Sequence, residues 1–215
     1  MTAPISASWT RIENWLARNA PSTYAALAPP VDPADIAATE CVIGQPLPKP
    51  LAMSLSRHDG LLDRRHVLLP GFYSLLSARG IAADWQFRAP YYDKRTEDEE
   101  GEEAEYDFMK IGSSVLYGHP QLIPVGRDLG GGGLVLDNRP GINRGRIHEA
   151  EATEGVTFGA HEMWTSLPVL MDAVATSLET DQPLDGYAPV VDVEQRLQWD
   201  FRPLRRDRTQ PGARA

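Results

Sequence analysis

Apolar residues recur every three or four positions at Trp9, Ile12, Trp15 and Leu16. That spacing predicts a helix with one buried face, headed by Ser8 and closed before Pro21. Ala20 to Pro30 is a proline-bounded piece with room for one or two helical turns. Asp32-Pro33-Ala34-Asp35 opens the next helix, with an N-cap aspartate and proline at the first helical position. Ile36 and Ile43 mark its inner face, and Gly44 its end. The prolines of Pro46-Leu47-Pro48-Lys49-Pro50 make a stiff connector into a short helix from Leu51 to His58. Leu51 and Leu55 point inward there, and Gly60 falls near the C-cap. Val67 to Tyr73 is an apolar extended run that turns at Pro70-Gly71. Beyond it Leu75, Leu76, Ile81 and Trp85 are core candidates, and Ser77 is a candidate helix cap.

Leu122 to His148 reads as strand, glycine turn, strand, aspartate-headed turn, strand. Leu122, Ile123 and Val125 form the first apolar run, and Leu134, Val135 and Leu136 the second. Gly130 to Gly133 supply the backbone freedom between them. Asp137-Asn138-Arg139-Pro140-Gly141 has the residues that start and fill tight turns. Ala152 to Phe158 is a candidate edge strand. Ser166 to Leu178 is an amphipathic helix, with Pro168 tolerated in its first turn. From Asp181 the periodicity is lost. Arg202, Arg205, Arg206, Arg208 and Arg214 make the end of the chain a basic tail, expected to be disordered. The pattern predicts an α+β fold: an antiparallel (mixed) sheet with a central β-meander, packed against N-terminal helices and one C-terminal helix. One domain is expected over residues 1–180, with a C-terminal extension over 181–215.

Composition narrows the class. The chain has 215 residues, 42% hydrophobic and 24% charged, which suits a globular protein with one core. No apolar run reaches the roughly 20 residues that cross a bilayer. The N-terminus lacks a basic segment followed by an apolar one, so no export signal is expected. Cys41 is the only cysteine, which excludes an internal disulfide and fits a reducing compartment. These features predict a cytoplasmic protein with no membrane contact. Cys41 itself sits in a helical pattern and is expected to be a small buried residue. The acidic run at about 94–107 is expected to be an exposed, mobile loop. A net charge of −9 argues against nucleic acid as a partner and favours a basic protein.

Few residues look able to carry chemistry. The glycine run lacks both the Gly-Lys-Ser/Thr ending and the dinucleotide spacing, so a hairpin turn is the better reading. His58-Asp59, His148-Glu149 and His161-Glu162 are histidine–acid neighbours, but none repeats at a zinc-ligand interval. There is no Gly-x-Ser-x-Gly elbow. Asp59 and Asp137 are read as turn caps. Trp9, Trp15, Trp85, Trp164 and Trp199 are read as core or groove wall rather than a platform for bases. No catalytic residue, metal or cofactor is expected.

The order of motifs nevertheless resembles a family. It comprises the N-terminal tryptophan helix, the proline-rich approach to a leucine helix ending in His58-Asp59-Gly60, and the run Leu69-Pro70-Gly71-Phe72-Tyr73. Ile123-Pro124-Val125-Gly126-Arg127-Asp128, Leu134-Val135-Leu136-Asp137, Gly145-Arg146-Ile147-His148 and a closing helix follow. This arrangement is similar to the SUKH superfamily over about Ser8 to Leu178. That superfamily groups fungal cell-wall-assembly regulators with bacterial proteins, many of which look like immunity proteins encoded beside polymorphic toxins. The resemblance implies an α+β domain without catalysis that acts by binding another protein. A basic toxin domain is the first expectation, and an intracellular regulatory or scaffold role the second. A hydrolase would rest only on the histidine–acid pairs. The candidate partner-binding residues are Asp59, Trp85, Glu97, Asp98, Glu99, Glu100, Glu102, Glu103, Asp137 and Arg139.

Overall fold

The first apolar stripe folds as helix α1, Ile5–Asn19, with Ile5, Trp9, Ile12 and Leu16 buried. The helix starts earlier than expected. Pro4 is its N-cap, and the Pro4 carbonyl accepts from the Ala7 and Ser8 N–H groups. Ile5 continues the buried stripe by one more turn, so Ser8 lies inside the helix and is buried. The structure, a computed structural model, describes residues 3–98, 118–150 and 164–202.

Helix α2 is Pro21–Ala25 and α3 is Pro33–Ile43. Asp32 caps α3 by accepting from Ala34 N at 2.8 Å, and Gly44 ends it in the left-handed region. Cys41 is exposed, against expectation. The buried line of α3 is Thr39 and Ile43, one turn apart, and Cys41 falls between them on the opposite side. Helix α4, Lys49–Leu55, stops short of His58, because Ser54 O takes the N–H of both Arg57 and His58 and closes the turn. Gly60 (φ +73°) then passes so close to the Leu75–Ser77 backbone that a Cβ there would lie 2.7 Å from Leu76 C. Only glycine fits that crossing.

Val67, Leu68 and Leu69 run extended and buried into a 3-10 turn at Pro70–Phe72. Strand β1, Ser74–Leu75, leads into α5, Ala78–Asp98. Ser77 caps this helix as expected, its Oγ accepting from Gly80 N at 3.0 Å. The reading of 94–107 as a loop is corrected at its start, since residues 94–98 are the last turn of α5. Once a helix is nucleated, each added residue forms a hydrogen bond, and glutamate is a good helix former. The acidic residues from 99 onward lie outside the described residues.

The meander is present as read. Strands β2 (Leu122–Arg127), β3 (Gly133–Asp137) and β4 (Ile147–Ala150) follow β1 in spatial order β1-β2-β3-β4, and every pairing is antiparallel. Ile123 faces Leu136, and the β2–β3 register shifts between Pro124 and Gly126. Arg127 reaches across to Asp84 of α5 at 2.6 Å, where Asp84 also meets Arg88, tying helix to sheet. Helix α6, Leu167–Thr180, closes the core under its Ser166 cap. The candidate edge strand at 152–158 lies outside the described residues.

The structure extends beyond residue 180. Strands β5 (Tyr187–Val191) and β6 (Leu197–Phe201) form an antiparallel hairpin. Ala188, Leu197 and Trp199 of that hairpin are buried, and Leu197 and Trp199 join the main core with Trp9, Leu68, Ile123, Leu136 and Leu170. Full burial of a large apolar side chain such as Trp199 contributes about 3 kcal/mol, and Leu197 and Ala188 add to it in holding the hairpin on the domain. The architecture is α+β, and among the described residues no helix is long and apolar enough to cross a membrane. The basic tail from residue 203 lies outside the described residues.

Candidate functional site

Asp137 ends β3 with only 1% of its surface exposed, and Arg139, two residues on, is 7% exposed. Asp137 Oδ1 accepts from Arg139 N at 2.9 Å, and Oδ2 meets Arg139 Nη2 at 3.0 Å. The backbone closes around the same residue: Gly145 N donates to Asp137 O at 2.7 Å, and Asp137 N to Arg146 O at 2.9 Å. The carboxylate therefore fixes the turn, and it also holds a buried guanidinium. Trp85 stands nearby in the bonding chain. Its indole N–H donates to Pro120 O at 2.9 Å, and Gln45 Nε2 donates to the same oxygen at 2.7 Å. Gln45 Oε1 accepts from Asn138 Nδ2 at 2.8 Å. Trp85 and the Asp137–Arg139 turn are thus joined at one end of the sheet.

Asp59 belongs to a different set. It accepts from Ala78 N at 2.7 Å and so caps α5 from across the chain rather than its own turn. Burial raises its carboxyl above the usual range; the Ala78 bond counters this and the Asp35 charge adds to it. Glu97 and Asp98 lie in the last turn of α5, while Glu99, Glu100, Glu102 and Glu103 fall outside the described residues.

The histidine–acid neighbours do not act as pairs. His58 turns away from Asp59: its Nδ1 faces Ala28 O at 2.7 Å and its Nε2 faces Glu13 Oε1 at 2.8 Å. Arg57 Nε donates to Glu13 as well, at 2.6 Å. Burial alone would raise the Glu13 carboxyl, but the bonds from Arg57 and His58 outweigh it and hold the group below the usual range. His148 is buried while Glu149 points outward and accepts from the Tyr73 hydroxyl at 3.0 Å, as alternation along a strand requires. Burial, reinforced by the Glu149 charge, pushes the Tyr73 phenol up. His161-Glu162 lies outside the described residues. Among the described residues no three His, Cys, Asp or Glu groups converge as a metal cage would require.

A surface absent from the candidate residues is better formed. Leu68 N and Leu69 N both donate to Tyr73 O, so the chain doubles back on itself over Pro70-Gly71-Phe72. That reversal buries Leu69 and Tyr73 and turns Phe72 outward, 47% exposed at φ +69°. A bulky residue in the left-handed region is an outlier, worth about 1–3 kcal/mol of strain. The hairpin lays two more rings beside it. Tyr187 meets Phe72 edge-on at 5.9 Å between centroids and Phe201 at 5.2 Å. Phe201 is 58% exposed. Next to this row lies a hollow of about 290 Å³, with Val67 at its base and Arg64, Phe72 and Leu129 around it. Leu129, at the tip of the glycine turn, is 76% exposed.

The sequence carried one overlooked sign of this face. Leu197-Gln198-Trp199-Asp200-Phe201 alternates with the period of a strand, and Tyr187 to Val191 is rich in strand formers. Nothing in the sequence marks the positive φ of Phe72. No family model matches the chain, and no curated protein matches it.

Proposed function

We propose that this chain is a non-catalytic protein-binding domain, with an immunity protein that neutralises a cognate bacterial toxin as its most specific form. The observation that carries the reading is the row Phe72–Tyr187–Phe201 with Leu129: Phe72, Phe201 and Leu129 are left at the surface, and half-buried Tyr187 ties the two rings to the core. Aromatic side chains are enriched at the centres of protein interfaces, because they desolvate much area at small entropic cost. The net charge of −9 supports a basic partner, drawn in from a distance. The motif order shared with the SUKH superfamily supports the toxin-neutralising form, and the regulatory or scaffold role uses the same surface without a toxin.

Growth decides between these forms. Cells expressing a toxin encoded beside this gene should arrest alone and grow when the chain is co-expressed. Continued arrest with the chain folded and abundant would contradict the immunity form. Ester or phosphate hydrolysis abolished by changing one histidine would contradict the non-catalytic reading, and stoichiometric zinc after purification without added metal would contradict the expectation of no bound metal.

A further inference from the structure

We infer that Arg64 makes the hollow beside Phe72 a receptor for one kind of partner segment, an extended stretch that sets a carboxylate next to a large apolar side chain. The inference rests on the binding-domain reading and adds the chemistry of what is bound.

The argument begins with charge. Around this face most cations are already matched. Arg65 is paired with Asp63, Arg196 with Asp192 and Glu194, and Arg202 with Asp200. The hydrogen bonds from Arg65, first the side-chain bond and then the backbone one, hold Asp63 down to about 2, so that pair is ionised and mutually neutralised at neutral pH. Arg64 differs. It is exposed, and among the described residues its guanidinium makes one long bond, Nη2 to the Asp128 carbonyl at 3.3 Å. The Asp128 carboxylate does not reach it. Oδ1 is folded into the glycine turn, where it accepts from Gly130 N at 2.8 Å. Arg64 is thus a full positive charge at the edge of an apolar hollow, held loosely by a neutral acceptor.

Geometry supplies the other half. A guanidinium presents its donors in a planar fork that matches a carboxylate with two parallel bonds. Phe72, Leu129 and Val67 line the same hollow, together with Arg65, Gln198 and Asp128, whose carboxylate is turned onto Gly130 N. A segment whose carboxylate reaches Arg64 therefore places its neighbouring side chain against apolar walls. Long-range and local charge act on different steps. The net charge of −9 attracts a basic protein, and Arg64 then selects which part of it docks. The chain's own basic end is a poor occupant. Its sequence sets one carboxylate, Asp207, among Arg205, Arg206 and Arg208, a net positive run ill matched to Arg64, and Leu204 is its one large apolar residue.

The test uses the full chain as bait for a random library of peptides about 12 residues long, sized to span one face. Enriched peptides are then measured by fluorescence anisotropy against the wild type, Arg64→Glu, Arg64→Lys and Phe72→Asn. Enriched sequences should set Asp or Glu beside an aromatic or aliphatic residue. Arg64→Glu should weaken them roughly tenfold or more, with Arg64→Lys intermediate and all melting temperatures held. Binding should also weaken as salt rises from ~50 mM to ~500 mM. Several results would overturn the inference: no enrichment, enrichment of basic peptides or of sequences like residues 203–215, or acidic peptides indifferent to Arg64→Glu. If Phe72→Asn abolishes binding while Arg64→Glu is silent, the carboxylate is wrong and the binding face survives. If both are silent, the face itself is wrong.

Discussion

Asp137 and Phe72 show the two ways in which a single residue can be held in this fold. Asp137 is held by satisfaction, since its carboxylate closes a turn and meets a buried guanidinium. Asp137→Ala removes the turn bond to Arg139 N and two bonds to a buried guanidinium, so it should cost about 3 kcal/mol. In a chain of this size that is roughly 10 °C in melting temperature. Asp137→Asn should cost less, because the bond to Arg139 N survives. A melting temperature unchanged in Asp137→Ala would refute the role. The turn was legible in the order Leu136-Asp137-Asn138-Arg139-Pro140-Gly141. The burial of Arg139 was not, because a charged residue in a turn is ordinarily solvated. Phe72 is held by its neighbours against its own backbone preference. Asparagine tolerates the left-handed region, so Phe72→Asn should hold or raise stability, by up to ~1 kcal/mol, while partner binding falls. A clear loss of stability instead would mean that Phe72 is there for packing.

At the scale of elements, the corner between α1 and α4 gathers Glu13, Arg57 and His58, with the Trp9 ring tilted against the imidazole, centroids 5.0 Å apart. The Glu13 carboxyl is held below its unfolded value, so its contribution is present above that value and is lost as pH falls through the folded one. Glu13→Gln should therefore be less stable than the wild type near pH ~7, and the gap should close below pH ~4. Urea midpoints measured across that range would show a constant gap if the corner made no such contribution. Helices α3 and α6 were readable because cap and apolar stripe agree, Asp32 for one and Ser166 for the other, whereas of α5 only the Ser77 cap was legible. The β5–β6 hairpin was passed over because each strand has only five residues and follows a polar connection. What orders it is contact between Trp199 and a core assembled from residues far away in sequence. The role of Asp59 escaped for a related reason, since the N–H that it caps belongs to Ala78, nineteen residues on.

For the whole molecule, charge and surface shape act at different ranges. The acidic residues Glu99, Glu100, Glu102 and Glu103 add to a field that brings a basic partner closer, an effect on association rate that salt removes. Changing all four to Gln should slow association roughly tenfold at ~20 mM salt, and not at ~500 mM, with melting unaffected. Equal rates at both salt concentrations would make the run passive. The apolar row acts only on contact, and no one stretch of sequence reveals it, because Phe72, Leu129, Tyr187 and Phe201 come from three separate parts of the chain. The most direct measurement is a calorimetric titration of the protein that co-purifies with this chain in stoichiometric amount. Wild type is compared with the double variant Phe72→Asn, Phe201→Ser. If the Phe72–Tyr187–Phe201 face is the binding surface, affinity falls about 100-fold while the melting temperature holds within roughly 3 °C. Affinity within about twofold of wild type, with the variant fully folded, would contradict the account.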